Sequence, residues 1–219
     1  INGKASSEDL DIEKVMGLFG SNKQGKNSRA YRFKIFLDAA VSNLKYQKLL
    51  MEEVGFKMKA SNSRWMFENV GMKALEGELY GDLLFSEQTE GSWLMYNRSD
   101  FVELDIHQLF EVFDNFGQEE IKSENLYGNA SGNMELECMI VNGKIDKKSI
   151  NSSGYFDIQN GSLKAYEPLY RLSKYIELEE LKDIQFDRLQ NQFRIEKEHI
   201  YLPRFSVRSS AIDLEIEGT

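Results

Sequence analysis

Apolar and polar residues alternate along much of this chain with a period of two. Tyr31, Phe33, Ile35 and Leu37 alternate with Arg32, Lys34 and Asp38. Leu75, Gly77, Leu79, Gly81, Leu83 and Phe85 take one side of a run whose other side carries Glu76, Glu78, Tyr80 and Asp82. Met134, Leu136, Cys138 and Ile140 alternate with Glu135 and Glu137, and Ile212, Leu214 and Ile216 with Asp213, Glu215 and Glu217. Successive side chains of a strand point to opposite faces, so each run predicts a strand with one dry and one wet face. Proline removes a ladder donor, and its restriction to Pro168 and Pro203 leaves room for long strands. Gly77 and Gly81 inside one run predict bulges or strong coiling. The fold class expected is mainly β with a few short helices.

Three stretches carry helical spacing instead. Asp9 or Asp11 caps a first helix with Ile12, Val15, Met16 and Phe19, stopping near Gly20. Asp105 caps a second with Ile106, Leu109, Phe110 and Phe113, stopping near Gly117. Glu167-Pro168 opens a third with Leu169, Leu172 and Ile176, since proline suits a first helical turn. One short turn is expected from Glu177 to Asp183. Leu44 to Glu53 holds helix formers, but its flanks are strands and it is read as strand. Ser21 to Ser28 and Asn142 to Ser153 read as polar loops. Leu10-Asp11-Ile12-x-x-Val15-Met16-x-Leu18-Phe19 is echoed by Leu104-Asp105-Ile106-x-x-Leu109-Phe110-x-Val112-Phe113, a constant offset of 94 from Leu10 to Leu104. The echo is either two amphipathic helices alike by chance or a duplicated strand–helix unit.

Composition narrows the function classes. With 219 residues the chain can bury a real core, and 41% hydrophobic and 29% charged residues are ordinary for a globular protein. A net charge of −9 with no dense basic stripe argues against nucleic acid and against a polybasic membrane patch. No apolar run reaches the roughly 18–20 residues of a membrane helix. Cys138 stands alone, so no intrachain disulfide forms. The chain opens at Ile1 and closes at Thr219 within strand patterns. It is read as a piece of a longer protein, with unpaired strand edges at Ile1 and at Ile212 to Glu217.

The chemistry-bearing motifs fail one by one. No phosphate-binding loop, dinucleotide fingerprint or H-E-x-x-H is present. Gly128-Asn129-Ala130-Ser131-Gly132 lacks the spacing of a nucleophile elbow and reads as a turn or bulge. His107 falls in a predicted helix and His199 at a strand entry, and both read as structural or solvated. The acid pairs Glu52-Glu53, Glu119-Glu120 and Glu179-Glu180 read as solvated faces. Cys138 falls on the dry face of its run and reads as a small buried hydrophobe. Asn97, Asn129, Asn151 and Asn160 open N-x-[ST] triplets that an Asn- and Ser-rich chain produces by chance. No catalytic residue, metal ligand or cofactor site is expected.

One resemblance does emerge. Gly154-x-Phe156-x-Ile158-x-Asn160-Gly161-x-Leu163, Pro168-Leu169, Leu172-Ser173-Lys174-Tyr175-Ile176 and Leu178-Glu179-Glu180-Leu181-x-Asp183-Ile184 continue through Phe186-x-x-Leu189, Phe193-x-Ile195, Ile200-x-Leu202-Pro203 and Ser209-Ser210-Ala211. This order resembles the C-terminal region of AsmA-like proteins, especially those of Bacteroidetes. Ile1-Asn2-Gly3-Lys4-Ala5 before Leu10-Asp11, and Leu75-x-Gly77-x-Leu79-Tyr80-Gly81, are similar to the family's repeating body. The resemblance implies a fragment with residues 1–141 as repeat body and 154–219 as C-terminal segment. It further implies a long curled antiparallel sheet forming a hydrophobic groove, as in bridge-like lipid transfer proteins. The full protein would sit in the periplasm, held to the inner membrane by an anchor outside this segment, and support outer-membrane biogenesis and phospholipid traffic.

A physical argument stands beside it. A sheet with one apolar face must cover that face with helices, a second sheet, curling or an acyl chain. Burial is worth about 25 cal/mol per Å², so an uncovered dry face is a binding surface. The candidate groove residues are Leu75, Leu79, Leu83, Phe85, Met134, Leu136 and Ile140, with Leu169, Leu172 and Ile176 as a helical cover. Two functions remain open: a module that binds or conducts phospholipid, and a structural module that binds other envelope proteins without lipid.

Overall fold

The computed structural model describes residues 2–11, 34–89, 91–117, 119, 121–174, 177, 179–210 and 213–218. Among these residues there are twelve strands and one α-helix. The chain forms β1 (Asn2–Asp11), β2 (Lys34–Tyr46), β3 (Leu49–Ser61), β4 (Arg64–Ala74), β5 (Gly77–Thr89) and β6 (Ser92–Asp105). The helix α1 (Ile106–Val112) follows, then β7 (Leu126–Val141), β8 (Lys144–Ile145) and β9 (Asn151–Lys164). β10 (Asp183–Glu196), β11 (His199–Arg208) and β12 (Asp213–Gly218) complete the order.

All strands but β8 lie side by side in chain order in one open sheet, and β8 pairs with β7 alone. The sheet crosses residues 142–153 without a break, because β7 pairs directly with β9. The mainly β expectation holds, but the sheet is mixed rather than antiparallel. β1 pairs with β2 in parallel, from Asn2 opposite Phe36 to Asp11 opposite Lys45. Parallel neighbours need a crossover of roughly a dozen residues or more, and positions 12–33 separate these two. The first expected helix, the loop from Ser21 to Ser28, Tyr31, Phe33, Ile1 and Ile212 lie outside the described residues. Asp9 and Asp11 both belong to β1.

The second helix starts where its cap predicts. Asp105 is extended and its Oδ1 accepts a hydrogen bond from the Gln108 amide at 2.7 Å. It ends in a turn in which Asp114, Asn115, Phe116 and Gly117 all have positive φ, at 48°, 54°, 56° and 72°. The third helix is a 3₁₀ helix, Glu167–Lys174. A 3₁₀ helix repeats every three residues, a spacing that the step from Leu169 to Ile176 does not fit. Leu169 is half-buried, and the Leu172 side chain and Ile176 lie outside what is described. The short turn after Glu177 is present, with the Glu180 amide donating to the Glu177 carbonyl at 3.1 Å.

Leu44 to Glu53 is strand apart from the tight turn at Gln47-Lys48. Asn142 to Ser153 is more ordered than a loop. It holds β8, a 3₁₀ turn at Lys147–Ser149 capped by Asp146, and the start of β9.

Leu75 is not on a strand. Leu75 and Glu76, with φ of 53° and 63°, form the turn between β4 and β5. Bulges at Gly77 and Gly81 are also absent, since β5 pairs with β6 without a shift from Glu78 to Glu87. The irregularity lies in β4, where the register slips between Phe67 and Val70 and the Asn69 amide donates to Asp82 Oδ1 at 2.9 Å. The glycines serve close approach. A Cβ on Gly77 or Gly81 would overlap the carbonyl oxygen of Val102 or Arg98 in β6.

The core lies at one end of the sheet. Val41, Leu44, Met51, Val54, Ala74, Leu75 and Leu104 form a buried cluster, with Leu109 and Val112 of α1 packed against it. Ile106, Ala130, Ile158 and Phe186 form a second cluster on the far side of the helix. Hydrogen bonds from the Asp105 amide to the Leu75 carbonyl (2.8 Å) and from Gln108 Nε2 to Glu76 (2.7 Å) tie α1 to the β4–β5 turn.

Candidate functional site

Register decides which candidate residues share a face. Residues directly opposite in paired strands lie on the same side of a sheet. Phe85 is opposite Met95, and Met95 opposite Cys138; Leu83 is opposite Asn97, and Asn97 opposite Leu136. Trp93 is opposite Ile140 and Ser99 opposite Met134. Leu79 is opposite Phe101. The β5 candidates Leu79, Leu83 and Phe85 therefore lie on the same face as the β7 candidates Met134, Leu136 and Ile140, with β6 between them.

The same face continues in both directions. Phe67 is opposite Leu83 and Trp65 opposite Phe85. Met58 and Ala60 of β3 are opposite Phe67 and Trp65, and Leu37 and Ile35 of β2 are opposite Met58 and Ala60. On the other side, Phe156 and Ile158 of β9 are opposite Gly132 and Ala130, and Leu189 of β10 is opposite Ile158. One apolar face thus spans β2 to β10. Sequence reading missed most of it: Met58-Lys59-Ala60 alternates, but Trp65-Met66-Phe67 and Trp93-Leu94-Met95 are unbroken apolar runs in which alternation does not assign a face.

Burial along this face is uneven. Near α1 it is closed: Val54 is 2% exposed and Leu104 4%. Leu79 packs against that cluster. Towards the β3–β4 and β5–β6 turns, Met58, Trp65, Phe67, Leu83, Phe85, Trp93, Leu136 and Ile140 are only half-buried. Cys138 is an exception at 1% exposure, and burial pushes its thiol pKa up. Aromatic rings populate this open half. Phe67 meets Phe56 and Phe85 edge-on at 5.4 and 6.0 Å, and Trp65 reaches over β5 to within 5.8 Å of Trp93. Glycine positions on the face are filled by rings: Phe101 lies against Gly132, Phe193 against Gly154 and Phe186 against Gly161.

The opposite face is mostly polar. Lys59–Glu68, Lys73–Glu53 and Arg188–Asp157 pair at 2.6, 2.7 and 2.6 Å. Arg188 grips Asp157 with two donors and holds its carboxyl below the usual range. Lining by Asp38, Lys57, Lys59, Glu68 and Asp82 gives this polar face a shallow concavity of about 590 Å³. Its walls carry both signs of charge, together with Phe36, Leu37 and Met58. Half-buried Met66, Leu84, Leu94 and Met139 form a smaller apolar strip on the polar side.

Among the described residues no three metal-ligating side chains come together. His107 donates from Nδ1 to the Ser123 carbonyl at 2.7 Å and stacks on Tyr127 at 4.9 Å. His199 opens β11 and is exposed. No helix among the described residues is long and apolar enough to cross a membrane.

No family model, curated protein or solved structure matches the chain.

Proposed function

We propose that this chain is a lipid-handling module of an AsmA-like envelope protein, in which the open half of the apolar face forms a groove for phospholipid acyl chains. The observation that carries this reading is the largely apolar face from β2 to β10, interrupted at Asn97 and Ser99 of β6, buried under α1 at one end and half-exposed at the other. Such a face gains about 25 cal/mol for each Å² it removes from water, and a flexible hydrocarbon chain fits a strip lined by Leu83, Phe85 and Leu136. The charged opposite face suits an aqueous compartment, here the periplasm, with the remainder of the chain as the inner-membrane anchor.

Native mass spectrometry of the purified chain tests this directly. Phospholipid retained in the folded protein, and released on unfolding, is the expected result. A lipid-free chain that also fails to take up a fluorescent phospholipid would shift the reading to a structural module that binds other envelope proteins.

A further inference from the structure

The turn that ends α1 is the most strained stretch among the described residues. Asp114, Asn115, Phe116 and Gly117 adopt left-handed backbone one after another. Only glycine does this freely, and phenylalanine is among the residues least suited to it. The turn is nevertheless braced. Asn115 Oδ1 accepts from the Ser123 amide at 2.8 Å, and the Phe116 amide donates to the Phe113 carbonyl at 2.9 Å. Two rings at this turn face solvent, Phe113 just before the left-handed run and Phe116 within it. Phe113 is 43% exposed and Phe116 55%, stacked at 5.6 Å, with Phe110 edge-on to Phe116 at 5.2 Å. Strained backbone held in place beside exposed apolar rings is a starting point for a functional hypothesis.

We propose that Phe113 and Phe116 form a membrane-contact tip that inserts into the headgroup region of a zwitterionic bilayer. The tip sits at an end of the sheet, because α1 is bonded to the β4–β5 turn and Lys48 in the β2–β3 turn pairs with Asp114 at 2.6 Å. An end can enter a bilayer surface where a flat face cannot. Two of the neighbouring acids are paired, Asp114 with Lys48 and Glu119 with Lys122 at 3.0 Å, and the exposed Glu111 adds its field at the same Lys48. Two part-exposed rings offer far less than the roughly 800 Å² per partner that a stable protein interface buries. A net charge of −9 opposes an anionic surface and selects a zwitterionic one. The preference for a bilayer over a protein also rests on the lipid-handling reading above; the tip would set the helix-bearing end of the apolar face against its lipid source.

The test is flotation of the whole chain with phosphatidylcholine vesicles. The unmodified protein floats with the vesicles, and Phe113→Ser/Phe116→Ser lowers the bound fraction at least about ten-fold. Its retained phospholipid, measured by native mass spectrometry, stays the same. Should the double variant not fold, Phe113→Trp replaces it: its emission shifts to the blue on vesicle addition, while Trp65 and Trp93 lie towards the opposite end of the sheet. An unmodified protein that stays in solution overturns the tip, whether or not it carries lipid. So does a folded double variant that still floats, or a Phe113→Trp emission unmoved by vesicles. A protein that floats through these rings but carries no lipid keeps the tip and removes the groove.

Discussion

At Gly81 the physical constraint is a neighbouring backbone. The glycine lies under the Arg98 carbonyl of β6, so a methyl group there forces two strands apart. Gly81→Ala is expected to destabilise the fold by about 1–3 kcal/mol. Gly55→Ala, with nothing within 4 Å of the added carbon, is expected to change stability by less than about 1 kcal/mol. Urea melts of both variants decide it, and equal midpoints would refute the close-approach account. Asp157 gives a second prediction. Hydrogen bonds from Arg188 lower its folded pKa, so its contribution to stability is present above the unfolded carboxylate value near about 3.9 and is lost as pH falls through the folded value. Arg188→Gln should raise the Asp157 titration seen by carboxyl NMR and flatten the acid limb of stability; an unmoved titration would rule this out. Little of this was legible in sequence. Alternation placed Gly77 and Gly81 on the dry face, but whether their missing side chains admit a ligand or a backbone depends on β6, a separate stretch of chain.

Among elements, α1 was legible because its signals are local. Asp105 caps its own helix within three residues, and Ile106, Leu109 and Phe110 share one side by spacing alone. The element from Glu167 was read with the wrong period, since proline marks a helical start equally for a 3₁₀ and an α-helix. Asn142-Gly143 turns β7 into β8 with φ of 52° and 77°. That dipeptide is a strong hairpin signal and was overlooked within a polar stretch. Strand β5 divides between the two halves of the apolar face, and this division is testable. Leu79 is half-buried but packs against the buried cluster, so Leu79→Asp strips packing from that cluster and sets a charge against it, and should cost roughly 3 kcal/mol or more. Leu83 lies four positions from Leu79 and two from Phe85, is half-buried, and is not packed against that cluster. Leu83→Asp should cost only about 1 kcal/mol while depleting retained lipid. Denaturant melts paired with lipid content check both. If Leu83→Asp is as damaging to the fold as Leu79→Asp, the open half is core and the groove is lost.

At the scale of the molecule, an open sheet has two edges, and here the edge strands are β1 and β12. Each has one paired neighbour among the described residues, leaving a row of backbone donors and acceptors that another chain can meet. Amide exchange in β1 is therefore expected to slow as protein concentration rises, and exchange rates independent of concentration would argue that the edge is shielded. The alternation of residues determined by itself that the chain is mainly β and which side chains share a face within each strand. It also placed the α-helix found among the described residues, and its cap. Those are properties of neighbours in sequence, set by a period of two or by contacts across one turn of helix. Tertiary structure alone decided that β1 runs parallel to β2, that the candidate residues of β5 and β7 meet on one face across β6, and that this face is sealed under α1 yet left half-open beyond it. Each of these depends on which distant strands pair and in what register, and period-two patterns are interchangeable in that choice: any alternating strand can lie beside any other until turns, crossovers and close-packed glycines exclude the rest.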